Sequence, residues 1–112
     1  MPDPGDPWEL WKTLPRARQL ALICETVGDR HDVPVARIRR GPPWHRSVSQ
    51  ARTYAIRMAY ELLDPYTTAD LTRDFRMDLV DAIRSKQKSS ALPRAAELAA
   101  LKDGIAVRLK AG

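Results

Sequence analysis

Apolar residues recur every three or four positions along most of the chain, which is the period of amphipathic helices rather than of strands. The first such series follows Pro15, a residue that suits a first helical turn, and consists of Leu20, Ile23, Cys24 and Val27. Gly28 is the expected end of this helix. Because Cys24 lies on the apolar face, we expect a small core residue there rather than a nucleophile or a metal ligand.

A second and longer series begins at Ser47. Ser47 and Gln50 fit a capping box, in which each side chain satisfies a backbone donor of the other residue. The apolar stripe that follows consists of Val48, Ala51, Ala55, Met58 and Leu62. The Asp64–Pro65 pair ends this helix, because the residue before a proline avoids the α region. Arg52 and Arg57 fall off the stripe and can therefore face a ligand.

The segment between these two helices is predicted to be irregular. Residues 31–38 are short and rich in β-branched residues, which indicates a connection whose Val33, Val35 and Ile38 pack inward. The Gly-Pro-Pro run at 41–43 breaks any helix. Residues 39–46 are therefore expected to form a loop.

Two short helical segments are predicted after Pro65. Thr67 or Thr68 can cap the first, and Asp78 can cap the second. A tight break is expected between them, near Arg76 and Met77. The predicted inward-facing residues of the pair are Leu71, Phe75, Leu79, Val80 and Ile83. Two short helices joined by such a turn form a helix-turn-helix arrangement, which small helical bundles also contain.

The whole pattern predicts an all-α domain of about five helices. Residues 1–14 form a proline-rich N-terminal tail, whose Trp8 and Trp11 are expected to fold back onto the domain or to bind a partner. Residues 15–90 form the helical domain. Residues 91–112 form a C-terminal helix that either closes the core or pairs with a partner chain, through Leu98, Leu101, Ile105 and Leu109.

Composition excludes several classes of protein. Hydrophobic residues make up 44% and charged residues 29%, and no apolar run reaches membrane-spanning length, so a soluble protein without a membrane partner is expected. A single cysteine and the absence of a signal-peptide pattern favour a reducing, cytoplasmic location. With no phosphate-binding glycine loop, and with His31 and His45 isolated from other ligands, we expect no enzyme, cofactor, metal or small-molecule substrate.

Charge is distributed unevenly. The net charge is +5, yet residues 33–60 alone carry +6, with no acidic residue among them. The six arginines of this stretch are Arg37, Arg39, Arg40, Arg46, Arg52 and Arg57. Such a concentration is typical of a protein that neutralises phosphates, although a solvated arginine-rich face gives the same composition.

At "SVSQARTYAIRMAYEL", followed by "TTADLTRDF", the chain resembles the C-terminal DNA-binding domain (domain IV) of the bacterial replication initiator DnaA, a fold shared with Trp-repressor-like proteins. The resemblance covers roughly residues 20–88. It implies a helix-turn-helix that enters the major groove and a basic loop in the minor groove. The initiator's ATPase module is missing, so DNA binding without origin melting is implied. Freestanding domains among phage-related regulators and gene-transfer-agent activators of α-proteobacteria look similar.

The resemblance also implies positions for a DNA interface. Contacts to the DNA backbone and minor groove would come from Arg37, Arg39, Arg40, His45, Arg46, Ser47, Gln50 and Arg52. The base-reading signature "GGRDHTTV" of the family has no counterpart here. Base readout is therefore expected from other residues of the helix-turn-helix, namely Thr68, Arg73, Arg76, Asp81, Arg84, Ser85 and Lys88.

These observations favour a sequence-specific regulator of transcription that binds double-stranded DNA in the nucleoid. The alternative is a helical interaction module that docks RNA polymerase or a second regulator, with a non-specific basic patch. RNA binding is less favoured, because no aromatic stacking platform is apparent and a helix reads the major groove of B-DNA more readily. The target sequence and the sign of regulation do not follow from the residues.

Overall fold

The computed structural model describes residues 6–40, 45–92 and 95–111. These residues form seven α-helices and no strand: α1 (Pro7–Thr13), α2 (Arg16–His31), α3 (Val35–Arg40), α4 (Arg46–Leu62), α5 (Thr68–Asp74), α6 (Leu79–Ser90) and α7 (Ala95–Ala111). The all-α prediction is confirmed, but the predicted number of about five helices is wrong. The two additional helices, α1 and α3, have seven and six residues, too few to give a clear period. None of the described helices is long and apolar enough to cross a membrane.

Helix α4 lies at the centre of the fold, where it packs against α2, α3 and α6. Four residues of its predicted stripe are buried, while Leu62 is half-buried. Burial extends well beyond that stripe to Thr53, Tyr54, Ile56 and Ala59. The core is therefore built around α4 rather than against one of its faces.

The end of α2 differs from the prediction. The helix does not end at Gly28 but continues to His31, and Asp32 follows with a left-handed φ of 55°. The chain then turns back sharply, so that the Val33 N–H donates to the Gly28 carbonyl at 2.9 Å. A Cβ on Gly28 would lie 2.6 Å from the Val33 carbonyl oxygen. Gly28 thus permits a close approach of the backbone inside a helix instead of ending it.

Gly28→Ala is expected to lower the free energy of unfolding by about 1 to 3 kcal/mol, because the added methyl group collides with backbone that cannot move aside easily. This is the net loss, after the gain of about 1 kcal/mol in helix propensity from glycine to alanine is included. Urea unfolding followed by circular dichroism measures it. Ala21→Gly, at a half-buried position of the same helix, reports the propensity difference separately. A more stable Gly28→Ala protein would contradict the close approach.

The cap of α4 also differs from the prediction. The helix begins at Arg46 with His45 as its N-cap, and His45 makes no side-chain cap hydrogen bond. Ser47 and Gln50 therefore lie inside the first turns and do not form a capping box. The connection predicted over residues 31–38 contains the start of α3, and α3 extends to Arg40. Ile38 is buried as expected.

The caps of α5 and α6 agree with the prediction. Thr67 and Asp70 form a capping box: the Thr67 N–H donates to the Asp70 carboxylate at 2.9 Å, and the Asp70 N–H donates to the Thr67 hydroxyl at 3.1 Å. Donation by the Thr67 N–H and by the Thr67 hydroxyl to the Asp70 carboxylate holds the pKa of that carboxyl group below its usual value. Asp78 caps α6 by accepting from the Asp81 N–H at 2.8 Å. Leu71 and Phe75 are buried as predicted.

The orientation of α6 is opposite to the prediction. Leu79, Val80 and Ile83 were expected in the core, but they are 59%, 57% and 46% exposed. Ala82 and Ser89 are the buried residues of this helix. The Ser89 hydroxyl donates to the Lys86 carbonyl, so its burial leaves no polar group unsatisfied. Small residues let α6 approach α4 closely, and the large apolar side chains are directed outward as a result.

Both ends of the chain contribute to the core. On α7 the four predicted residues Leu98, Leu101, Ile105 and Leu109 are all buried, which confirms that the helix closes the core. Helix α1 packs against α7, and Trp11 is buried, as expected for residues that fold back onto the domain. Cys24 is fully buried, and burial raises the pKa of its thiol to about 12. The expectation of a small core residue at this position is confirmed.

Candidate nucleic-acid interface

A groove of about 580 Å³ runs between α4 and α6 and extends to the end of α3 and the turn that precedes α6. Five cationic side chains and two carboxylates are among its described lining residues. These are Arg40, Arg52, Arg76, Arg84, Lys88, Asp78 and Asp81. The groove therefore joins the basic stretch of residues 33–60 to Arg76, Arg84 and Lys88, which lie 16 to 28 residues beyond the end of that stretch.

Arg52 holds the base of this groove together. Its Nε donates to the Ile38 carbonyl at 2.8 Å and its Nη2 donates to the Arg37 carbonyl at 3.0 Å. These carbonyls belong to the last turn of α3, where a positive charge is favourable. Burial lowers the pKa of the guanidinium group. Part of the hydrogen-bonding capacity expected for a phosphate is therefore used to attach α3 to α4.

The turn before α6 shapes the opposite wall. Arg76 has a left-handed φ of 48°, and the Met77 N–H donates back to the Thr72 carbonyl at 3.3 Å. The Asp78 carboxylate is occupied by the cap of α6, where a negative charge stabilises the helix N-terminus. Lys88 spans the groove, with its Nζ donating to the Ser49 hydroxyl at 3.2 Å. The two acidic residues therefore do not cancel the positive charge through ion pairs with the neighbouring arginines.

The described arginines fall into two groups, those whose side chains make an ion pair or a hydrogen bond and those whose side chains make neither. Within the described ranges, five guanidinium groups make no ion pair or hydrogen bond: Arg37, Arg40, Arg46, Arg76 and Arg84. Away from the groove, Arg30 forms a bidentate pair with Glu97, at 2.6 and 2.9 Å, and Arg108 pairs with Asp29. Three of these five, Arg40, Arg76 and Arg84, line the groove.

The remaining candidates are divided by their contacts. Arg39 donates to the Asp74 carbonyl at 3.2 Å, and Arg57, which could face a ligand on the sequence pattern, instead pairs with Glu61 at 3.0 Å. Arg73 pairs with Asp70 and Asp74 and does not line the groove. Three other residues expected to contact the DNA backbone are exposed at the start of α4. They are His45, Ser47 and Gln50.

The structure thus brings together five of the seven expected base-reading residues. Arg76, Asp81, Arg84, Ser85 and Lys88 all line the groove, while Thr68 and Arg73 do not. The expected basic loop is described only at its two sides, since residues 41–44, which include Trp44, lie outside the described residues. Ser49 and Thr53 also line the groove, and nothing in the sequence distinguished them from the other polar residues of α4.

Comparison with known proteins adds no relative: no family model, no curated protein and no solved structure matches the chain. The described residues form an all-helical domain whose groove is lined by five cationic side chains. The similarity to the DnaA domain remains an expectation drawn from the residues.

Proposed function

We propose that the chain is a sequence-specific transcription regulator that binds double-stranded DNA through a helix-turn-helix formed by α5 and α6. The observation that carries this proposal is the set of arginines without carboxylate partners on the surface of α3, α4 and α6. A protein that only needed solubility would gain little by leaving five guanidinium groups without any hydrogen bond or ion pair, while that of every other described arginine makes at least one. Phosphates are the partners that such a surface attracts most strongly.

The geometry of α5 and α6 supports the helix-turn-helix. Four residues, 75–78, join the two helices, which is the length of turn that this motif uses. Helix α6 has twelve residues, about 18 Å, and presents an uncovered outer face. A helix of this kind can enter the major groove, which is about 12 Å wide. In this arrangement Arg40 and Arg46, on either side of residues 41–44, contact the DNA beside the neighbouring minor groove.

The proposal predicts a strong dependence on salt. If the five unpartnered arginines neutralise about five phosphates, log K against log salt has a slope of about −4 to −5. Fluorescence anisotropy with a labelled duplex, repeated across a salt series, measures this slope. Competition with unrelated DNA at about 150 mM salt then separates specific from non-specific binding. A slope near zero contradicts the proposal, and a steep slope without sequence preference reduces it to a non-specific basic patch.

A further inference from the structure

The outer face of α6 is apolar at its N-terminal end. Among the described residues, five large apolar side chains are exposed, and three of them lie on this helix: Leu79, Val80 and Ile83. Leu79 and Ile83 are four residues apart and share one side of the first turn. Val80 shares the adjacent side with Arg84. An apolar surface and an unpartnered cation therefore lie next to each other on the same exposed helix.

This combination corresponds to what the major groove of DNA offers. Guanine presents two acceptors that arginine binds, and thymine presents a C5-methyl group that only an apolar side chain contacts favourably. A second copy of the chain is a poorer occupant. A symmetric pairing through the same face would bring Arg84 of both copies into the interface, where like charges repel.

We propose that Leu79, Val80 and Ile83 contact thymine methyl groups in the major groove, so that thymines in the bound sequence are recognised by their C5-methyl groups. This inference rests on the proposed function, because it requires α6 to enter the groove. It adds direct apolar readout to the polar contacts expected from Arg84 and its neighbours. The apolar residues that the core does not use thereby gain a partner.

The test uses a DNA sequence selected by the full chain from a random library. Each thymine in the selected site is replaced in turn by deoxyuridine, which lacks only the methyl group. Binding is expected to weaken about fourfold at each contacted position. Ile83→Ser and Val80→Ser are each expected to bind thymine and uracil equally at the position that the replaced side chain contacts, and to keep the discrimination at the other positions. Val107→Ser, which removes an equally exposed apolar side chain from α7, is the matched control and keeps the discrimination.

The possible outcomes separate the inference from the function on which it rests. If a sequence is selected but no uracil substitution changes the affinity, the methyl contact is wrong while specific DNA binding stands. If no sequence is enriched, both proposals fail. If Ile83→Ser abolishes self-association in sedimentation experiments and uracil has no effect, the face is covered by a second copy and the inference is overturned. Circular dichroism melting of each variant verifies that the exposed substitutions leave the fold intact.

Discussion

Simultaneous replacement of Arg40, Arg46, Arg76 and Arg84 by glutamine is expected to weaken binding to double-stranded DNA about 1,000-fold at about 150 mM salt. Each neutralised phosphate contributes about −0.9 to the slope of log K against log salt, so one contact strengthens binding about five- to sixfold at 150 mM salt relative to 1 M salt, where the electrostatic contribution is small. Losing four such contacts multiplies these factors and gives a loss of about 1,000-fold. The salt slope should become shallower by about three to four units, because four fewer counterions are released on binding.

A matched control separates a local effect from the loss of net charge. The control variant replaces four exposed cations on α1, α2 and α7 by glutamine and so removes the same number of positive charges. The four residues are Lys12, Arg16, Arg18 and Lys110. This variant is expected to lose less than about tenfold in affinity, since long-range attraction is largely screened at this salt concentration. An equal loss in both variants would show that the groove is not the binding surface. Thermal unfolding should be nearly unchanged in the groove variant, whose four arginines make no contacts among the described residues.

The longer helices could be predicted from the sequence because their burial repeats over several turns. On α2 the residues Leu20, Ile23, Cys24 and Val27 are all buried, as the spacing indicated. The four apolar residues of α7 are buried as well. In both helices one face packs on the core, and apolar residues that recur at spacings of three and four mark that face in the sequence.

Where the packing is less regular, the pattern was misleading. Small residues can bury a helix as well as large ones, so the largest apolar side chains of α6 were assigned to the wrong face. Ala82 and Ser89 lie against the core instead. Gly28 was assigned to a helix end because glycine often occurs there, whereas the structure uses the missing side chain for a close contact with Val33. A single residue type has several structural uses, and only the tertiary contacts decide between them.

The candidate site could be predicted in part. The basic stretch of residues 33–60 is visible as local charge, and the arginines at the ends of α3 and α4 follow from it. The proximity of Arg40 and Arg52 to the cations of α6 and its preceding turn depends on how α6 packs against α4, which no local pattern contains. Ion pairing is equally invisible in the sequence. Arg57 belongs to the basic stretch, yet Glu61 on the same helix balances its charge.

Phe75→Ala is expected to lower the free energy of unfolding by about 3 to 5 kcal/mol, because it removes a fully buried aromatic ring and leaves a cavity. Phe75 is 1% exposed and lies at the C-cap of α5, where its N–H donates to the Leu71 carbonyl at 3.0 Å. A domain of this size has a total stability of about 5 to 15 kcal/mol, so the variant would be close to unfolding at 37 °C. Urea unfolding at 25 °C measures the loss.

Phe75→Leu is the control for this substitution, since a hydrophobic side chain of similar volume costs less than about 1.5 kcal/mol. A loss below about 1 kcal/mol for Phe75→Ala would contradict the burial of the ring. The position also links stability to the proposed function, because Phe75 directly precedes the left-handed Arg76 in the turn between α5 and α6. If its ring fixes that turn, Phe75→Ala should weaken DNA binding by more than its unfolded fraction explains, and Phe75→Leu should restore most of the affinity.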